Sequence, residues 1–353
     1  MKVDYIVVGL GLAGIAFTRE LKANNKSFIV FENNSQYSSV VAGGMYNPII
    51  LKRFTAVWDA QHQLDIALPF YAELERDLNT TFDIPVGVKR LFTSIEEQNN
   101  WFTACDHPAL QDYLVSKIDS SPYHGINAPF GYGTVNKTGR VATKKLIEAY
   151  TLYLKDLGVL NNESFDYELL EHTKDTVQYG TVKAKRIVFC EGYGLKKNPF
   201  FGDLPLNEAK GELIKINAPE LAIDFVLKSS VFIMPLEKDE FLVGATFNWK
   251  DKTNKPTAEG KAELLEKLDK IIKVPYEVVD HVAGIRPTVK DRRPLLGIHP
   301  KYEHLAILNG LGTRGVMIAP MAAKELYNYL EEGTSLRPIL NIQRFQDWVL
   351  ANA

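Results

Sequence analysis

The chain has 353 residues, a net charge of −2, 46% hydrophobic and 24% charged residues, and two cysteines. That length holds two or three domains' worth of core, and the balanced composition excludes disordered, collagen-like and coiled-coil chains. Cys105 and Cys190 alone cannot build a disulfide framework, no CxxC supports zinc or dithiol chemistry, and the near-neutral charge argues against a whole-surface nucleic-acid footprint. The first apolar stretch, residues 3–17, is broken by Asp4, Gly9, Gly11 and Gly14 and followed by Arg19 and Glu20. The stretch therefore reads as neither a signal peptide nor a membrane span, and a cytoplasmic protein is expected.

Residues 5–8 form a continuous apolar run, the pattern of a parallel strand buried on both faces. Gly9-Leu10-Gly11-Leu12-Ala13-Gly14 follows as GxGxxG and leads into a helix-compatible stretch. Gly9 serves the tight turn, Gly11 the approach of a pyrophosphate and Gly14 the close packing of helix on strand. A second strand at residues 27–31 ends at Glu32, placed for a ribose. Strand, glycines, helix, strand and acid together predict a dinucleotide site but do not distinguish FAD from NAD. Only one such fingerprint is present, so the dinucleotide is expected to stay bound while substrates exchange.

Further on, residues 57–78 read as a long helix that Pro69 should kink or divide. Shorter helical patterns follow at 96–105 and 109–118, then a Pro/Gly-rich stretch of loop or short strands at 121–139. Residues 143–157 return to helical spacing, 165–184 suggest a small β-meander, and 185–190 repeat the buried-strand pattern. Strands at 211–216, 230–235 and 240–245 read as antiparallel and precede a charged helix at 258–272. A strand near 305–308, the turn Gly310-Leu311-Gly312 and a helix at 316–330 close the chain. The order implies an α/β fold in which a Rossmann-like dinucleotide-binding domain (1–80, 141–209, 283–353) is interleaved with a mostly antiparallel substrate domain (81–140, 210–282).

Four segments, read with the fingerprint, resemble the D-amino-acid-oxidase-type FAD-dependent oxidoreductases, including glycine and sarcosine oxidases. They are Phe232-Ile233-Met234-Pro235 with Phe241-Leu242-Val243-Gly244-Ala245-Thr246, the stretch from Ala283-Gly284-Ile285-Arg286-Pro287 to Gly297, the strand ending at Gly192, and the glycine turn and helix from Gly310. Ala42-Gly43-Gly44-Met45-Tyr46-Asn47-Pro48 and the segment from Gly310 to Pro320 also resemble the FAD domain of bifunctional wobble-uridine tRNA-modifying enzymes. The resemblance implies non-covalent FAD, since the Arg286 stretch has no cysteine for covalent attachment. It also implies oxidation of a small-molecule amine or amino acid bearing a carboxylate, with oxygen or another acceptor reoxidising the flavin. Cofactor contacts are then expected from Gly9, Gly11, Leu12, Ala13, Gly14, Glu32, Gly43, Gly44, Met45, Gly192, Gly312, Thr313, Arg314, Gly315, Val316 and Met317.

Within that resemblance, Arg286 is expected to clamp the substrate carboxylate through two parallel hydrogen bonds. Arg314 is expected at the flavin or the substrate, and Phe247 as a pocket-lining aromatic, with Tyr46 and Trp249 as weaker candidates. Hydride transfer from a carbon beside nitrogen needs placement and electrostatics more than a dedicated base. The seven histidines lack metal-ligand spacing, and no metal is expected. Two alternatives stay open: action on carboxymethylaminomethyl-uridine in tRNA, and a non-catalytic flavin-binding protein. Against tRNA stand the slightly acidic charge and a chain too short for the methyltransferase domain of the bifunctional enzymes; the basic residues Lys290, Arg292 and Arg293, with Lys196 and Lys197, keep it open.

Overall fold

In the computed structural model, which describes residues 1–172 and 176–353, the chain opens with strand β1 (Lys2–Val8), helix α1 (Leu12–Ala23) and strand β2 (Phe28–Phe31). Helix α2 (Ala60–Leu78) and strand β3 (Val88–Leu91) follow, then β4 (Tyr132–Val135), α3 (Thr143–Asp156), the short β5 (Leu160–Asn161) and β6 (Val182–Phe189). The middle of the chain forms β7 (Ala209–Asn217), β8 (Val226–Lys228), β9 (Phe232–Pro235), β10 (Glu240–Gly244), helix α4 (Ala258–Asp269) and β11 (Glu277–Arg286). Strands β12 (Leu295–Ile298) and β13 (Leu305–Asn309) precede helix α5 (Gly315–Glu331).

Two sheets divide these strands. In the first, β1 lies between β2 and β6 and is parallel to both, with Tyr5 opposite Phe28 on one side and Arg186 on the other. Strand β5 extends it beyond β2, and β13 adds in parallel to the C-terminal half of β6, with β12 antiparallel beyond it. Both faces are covered, which is why the β1 sequence is an unbroken apolar run. Tyr5 and Val7 join a core with α1, α2, α3 and α5, whereas Ile6 and Val8 join an aromatic cluster containing Phe189, Phe201 and Trp348.

The second sheet runs β11-β7-β10-β9-β8-β3-β4 and is mostly antiparallel, with β8 and β3 its parallel neighbours. Helix α4 packs Leu264 and Leu268 on one face, while Trp101 and Phe92 join the core on the other. Strands of the first sheet come from residues 2–31, 160–189 and 295–309, and those of the second from 88–135 and 209–286. Because β11 runs without a break to Arg286, we propose the last division between the two regions after residue 286 rather than at 282.

Two sequence expectations differ from the structure. Pro69 does not divide α2, which is continuous from Ala60 to Leu78. The proline sits on the exposed face, so water can satisfy the carbonyl it leaves without a donor. Residues 109–118 form hydrogen-bonded turns rather than a helix, with Leu114 and Asp119 bridging to Val135 and Tyr132. Their apolar spacing buries Leu110, Tyr113 and Leu114, but tertiary pairing to the edge of β4 overrides the helical period. The expected meander is present as Leu170–His172, Val177–Tyr179 and β6; its residues 173–175 lie outside the described residues. None of the described helices is long and apolar enough to cross a membrane.

Candidate active site

A large cavity of about 2080 Å³ is lined by residues of both sheets and the loops between them. At one end the Gly9-Leu10-Gly11 turn carries the chain from β1 into α1. Gly9 has φ +95°, and a Cβ there would lie 2.6 Å from the Cys190 carbonyl oxygen. Only glycine fits this combination of backbone conformation and contact. Gly11 caps α1 without a side-chain hydrogen bond, and the first turn holds no acid. Its first turn presents Leu12 and Ala13 to the cavity, with the Leu12 N–H donating to the Ser39 Oγ at 3.3 Å.

Glu32, at the end of β2, accepts hydrogen bonds from the Leu10 N–H at 2.5 Å and the Asn34 N–H at 2.6 Å. These fix its carboxylate on the cavity wall and leave lone pairs for hydroxyl donors. Beside it, β6 delivers Cys190, Glu191 and Gly192 to the cavity. Glu191 is buried, its pKa pushed up to about 7 by desolvation against the opposing effect of hydrogen bonds from Tyr167 and Asn198. Burial also pushes the Cys190 thiol far up, keeping it neutral and unreactive.

The loop at residues 42–45 forms the middle of the wall. The Gly44 carbonyl accepts the Val141 N–H at 2.9 Å and the Ala42 carbonyl accepts the Thr143 hydroxyl at 3.1 Å. Gly44 has φ +68°, and a Cβ there would lie 1.9 Å from the Val141 carbonyl oxygen. A second helix N-terminus opens opposite: α5 begins after Arg314 with neither a side-chain cap nor an acid in its first turn. Gly312, Thr313, Arg314, Gly315 and Val316 all line the cavity there. Two helix N-termini without an acid in the first turn, close glycine backbone and a fixed carboxylate around one cavity fit a long anionic dinucleotide.

At the other end, β11 delivers Arg286. Its Nη1 donates to the Thr246 carbonyl at 3.2 Å, and its guanidinium lies 4.3 Å from the centroid of the Phe247 ring. The group rests against Gly211 of β7, where a Cβ would lie 1.9 Å from Nη2. Arg314 donates from Nη1 to the Asn47 carbonyl at 2.9 Å. Burial draws both guanidinium pKa values down to about 10, which leaves both charged at neutral pH. Among the described residues neither arginine has a carboxylate within ion-pair distance.

Most of the residues singled out in the sequence therefore meet at this cavity, including Gly43, Met45 and Phe247. Phe247 is 58% exposed, which makes it a rim residue rather than core. Gly14 does not line the cavity: a Cβ there would lie 2.0 Å from the Gly9 carbonyl oxygen, so its role is packing. Met317 is fully buried in the α1–α5 core, one residue past the last α5 position that reaches the cavity. Tyr46 is likewise buried in that core, and Trp249 is exposed outside the lining. Among the lining residues that sequence reasoning missed are Lys228 and Gly211. The available signal for Lys228 was a lysine closing the apolar run Phe225-Val226-Leu227.

The chain belongs to the FAD dependent oxidoreductase family (DAO), whose pattern matches residues 4–328. It is an FAD-dependent oxidoreductase, and the cavity just described is where its FAD is to be sought. Among curated proteins it is similar to glycine oxidase of Bacillus subtilis (strain 168), with 23% identity across 99% of this chain and 96% of that one. It is also similar to the tRNA 5-methylaminomethyl-2-thiouridine biosynthesis bifunctional protein MnmC of Nitrosospira multiformis, with 25% identity across 90% of this chain and 55% of that longer protein. Among solved structures, glycine oxidase from Geobacillus kaustophilus superposes with a TM-score of 0.79 at 20% identity, covering 96% of this chain and 98% of that one.

Proposed function

We propose that the protein oxidises the C–N bond of a carboxylate-bearing amine, an amino acid or an N-substituted glycine. The observation that carries this reading is Arg286: a partly buried guanidinium with one backbone acceptor, one aromatic face and no acid, turned to the cavity. Its remaining N–H donors suit a substrate carboxylate held through two parallel hydrogen bonds, which fixes the angle at which the reacting carbon sits. Bound FAD supplies a two-electron hydride acceptor.

Gly9, Gly11, Leu12, Ala13 and Glu32 would hold the adenosine diphosphate portion, with Gly192 on the opposite side. Gly43, Gly44, Met45 and the α5 N-terminus at Gly312 to Val316 would hold the flavin. Uncapped amides there favour negative charge in the flavin's pyrimidine portion. The substrate amine must be neutral to release a hydride. Arg286 and Arg314 favour that form, because nearby positive charges disfavour a further ammonium. The imine product then takes up water and releases the amine fragment. The neutral, buried thiol of Cys190 is consistent with non-covalent attachment of FAD.

A second reading, action on a carboxymethylaminomethyl-uridine in tRNA, draws support from the rim. Phe247 on the rim and Trp249, two residues further and outside the lining, are 58% and 51% exposed, as stacking with an extruded base would require. Anaerobic mixing of the yellow holoenzyme with glycine, sarcosine, D-amino acids and carboxymethylaminomethyl-modified tRNA separates the two. Flavin bleaching by a small amine supports the first reading, and bleaching by the tRNA alone replaces it with the second.

A further inference from the structure

We infer that Lys228 makes this site selective for a dianionic substrate: an N-substituted glycine carrying a second carboxylate on its N-substituent. The inference rests on the reading of Arg286 given above and narrows its substrate class. Strand β8 buries Val226 and Leu227 in the cores on either side of the second sheet and ends with Lys228 on the cavity wall. The ammonium stands 4.9 Å from the centroid of the Phe232 ring and, among the described residues, has no carboxylate within ion-pair distance. Its neighbour Arg90, opposite it on β3, is by contrast neutralised by Glu97 at 2.5 Å.

Three partly buried cations, Lys228, Arg286 and Arg314, thus line one cavity without a carboxylate in ion-pair distance among the described residues. A partly buried cation without a counter-charge is unfavourable unless a ligand supplies the anion. Arg286 accounts for one carboxylate. Burial first, and then the charges of Arg90, Arg314 and Arg286, draw the Lys228 pKa down to about 8. The sheet register agrees with that proximity. Lys228 pairs with Phe232, Phe232 pairs with Gly244, and Arg286 donates to Thr246 just beyond. Two strand spacings separate the backbones of Lys228 and Gly244 by about 10 Å. A molecule with two carboxylates offers one to each of two cations that line the same cavity.

The test uses sulfur analogues, in which no amine is available for oxidation. Binding of thiodiacetate and of (methylthio)acetate to purified holoenzyme is measured by calorimetry. At pH 7 thiodiacetate should bind about tenfold more tightly, the worth of one additional charge-assisted hydrogen bond. Lys228→Met should abolish that preference and leave (methylthio)acetate affinity within about twofold, whereas Lys228→Arg should retain it. Between pH 7 and 9 the preference should fade in the wild type and persist in Lys228→Arg. The other charged groups facing Lys228 are Arg90 with its partner Glu97, Arg286 and Arg314, and Arg286 and Arg314, drawn down to about 10, stay mostly protonated over that range. Equal affinities in the wild type, or a preference that survives Lys228→Met, would overturn the inference. Arg286→Met should weaken both analogues; unchanged binding of both would instead overturn the carboxylate reading of Arg286 itself.

Discussion

Replacing Gly211 with alanine isolates the position of Arg286 from its presence. Gly211 lies in the middle of β7 with an ordinary strand backbone, so alanine fits its φ and ψ without strain. The added methyl would stand 1.9 Å from Nη2, 2.1 Å from Cζ and 2.4 Å from Nη1 of Arg286. Those atoms are the far end of a flexible side chain, so the guanidinium moves and the sheet stays. Displacing it removes two charge-assisted hydrogen bonds to the substrate carboxylate, together worth about 3 kcal/mol. That corresponds to a fall of roughly a hundredfold in kcat/KM. Removing glycine from a strand is neutral or mildly stabilising, so Tm and FAD content should match the wild type. The assay is anaerobic flavin reduction across a substrate series, with a thermal melt on the same preparation. Wild-type kcat/KM in Gly211→Ala would refute the assignment of the carboxylate to Arg286.

Gly14→Ala acts on the fold instead. Its methyl would lie 2.0 Å from the fixed backbone oxygen of Gly9, so α1 must shift away from β1, and a loss of about 1–3 kcal/mol in urea unfolding, together with weaker FAD retention, is expected. Glu191 gives a pH signature. Its carboxyl goes from about 4.5 unfolded to about 7 folded, so the native state holds the extra proton. The stability it provides is fully present below pH 4.5 and is lost as pH rises through 7. Glu191→Gln cannot titrate, so its stability relative to the wild type should improve between pH 5 and pH 7.5, by at most about 3 kcal/mol. A difference independent of pH would contradict the raised carboxyl.

The sequence was most legible where chemistry is set by neighbours in the chain. The turn at Gly9, the acid at Glu32 and the glycine-led start of α5 each lie within one local motif, and all three reach the cavity. Legibility ended at the edges of such motifs. Gly14 and Met317 belong to the same segments but point into packing, because a helix turns about 100° with each residue and only part of its first turn faces the cavity. Residues 109–118 carried a helical period that pairing with β4 overrode. Lys228 and Gly211 were invisible for a different reason. Their importance arises from register across strands far apart in sequence, with Gly211 opposite Gly284 and Lys228 opposite Arg90. No local pattern marks Gly211, and Lys228 shows only as a lysine closing an apolar run.

The central claim is that Arg286 holds the carboxylate of an amine undergoing oxidation by FAD. The most direct measurement is anaerobic stopped-flow reduction of holoenzyme by N-substituted glycines and by the matching amines without the carboxylate, in wild type and Arg286→Met. Rapid bleaching should require both the carboxylate and Arg286. Equal bleaching by the wild type and Arg286→Met, or bleaching by the carboxylate-free amines at the same rate, would contradict the account.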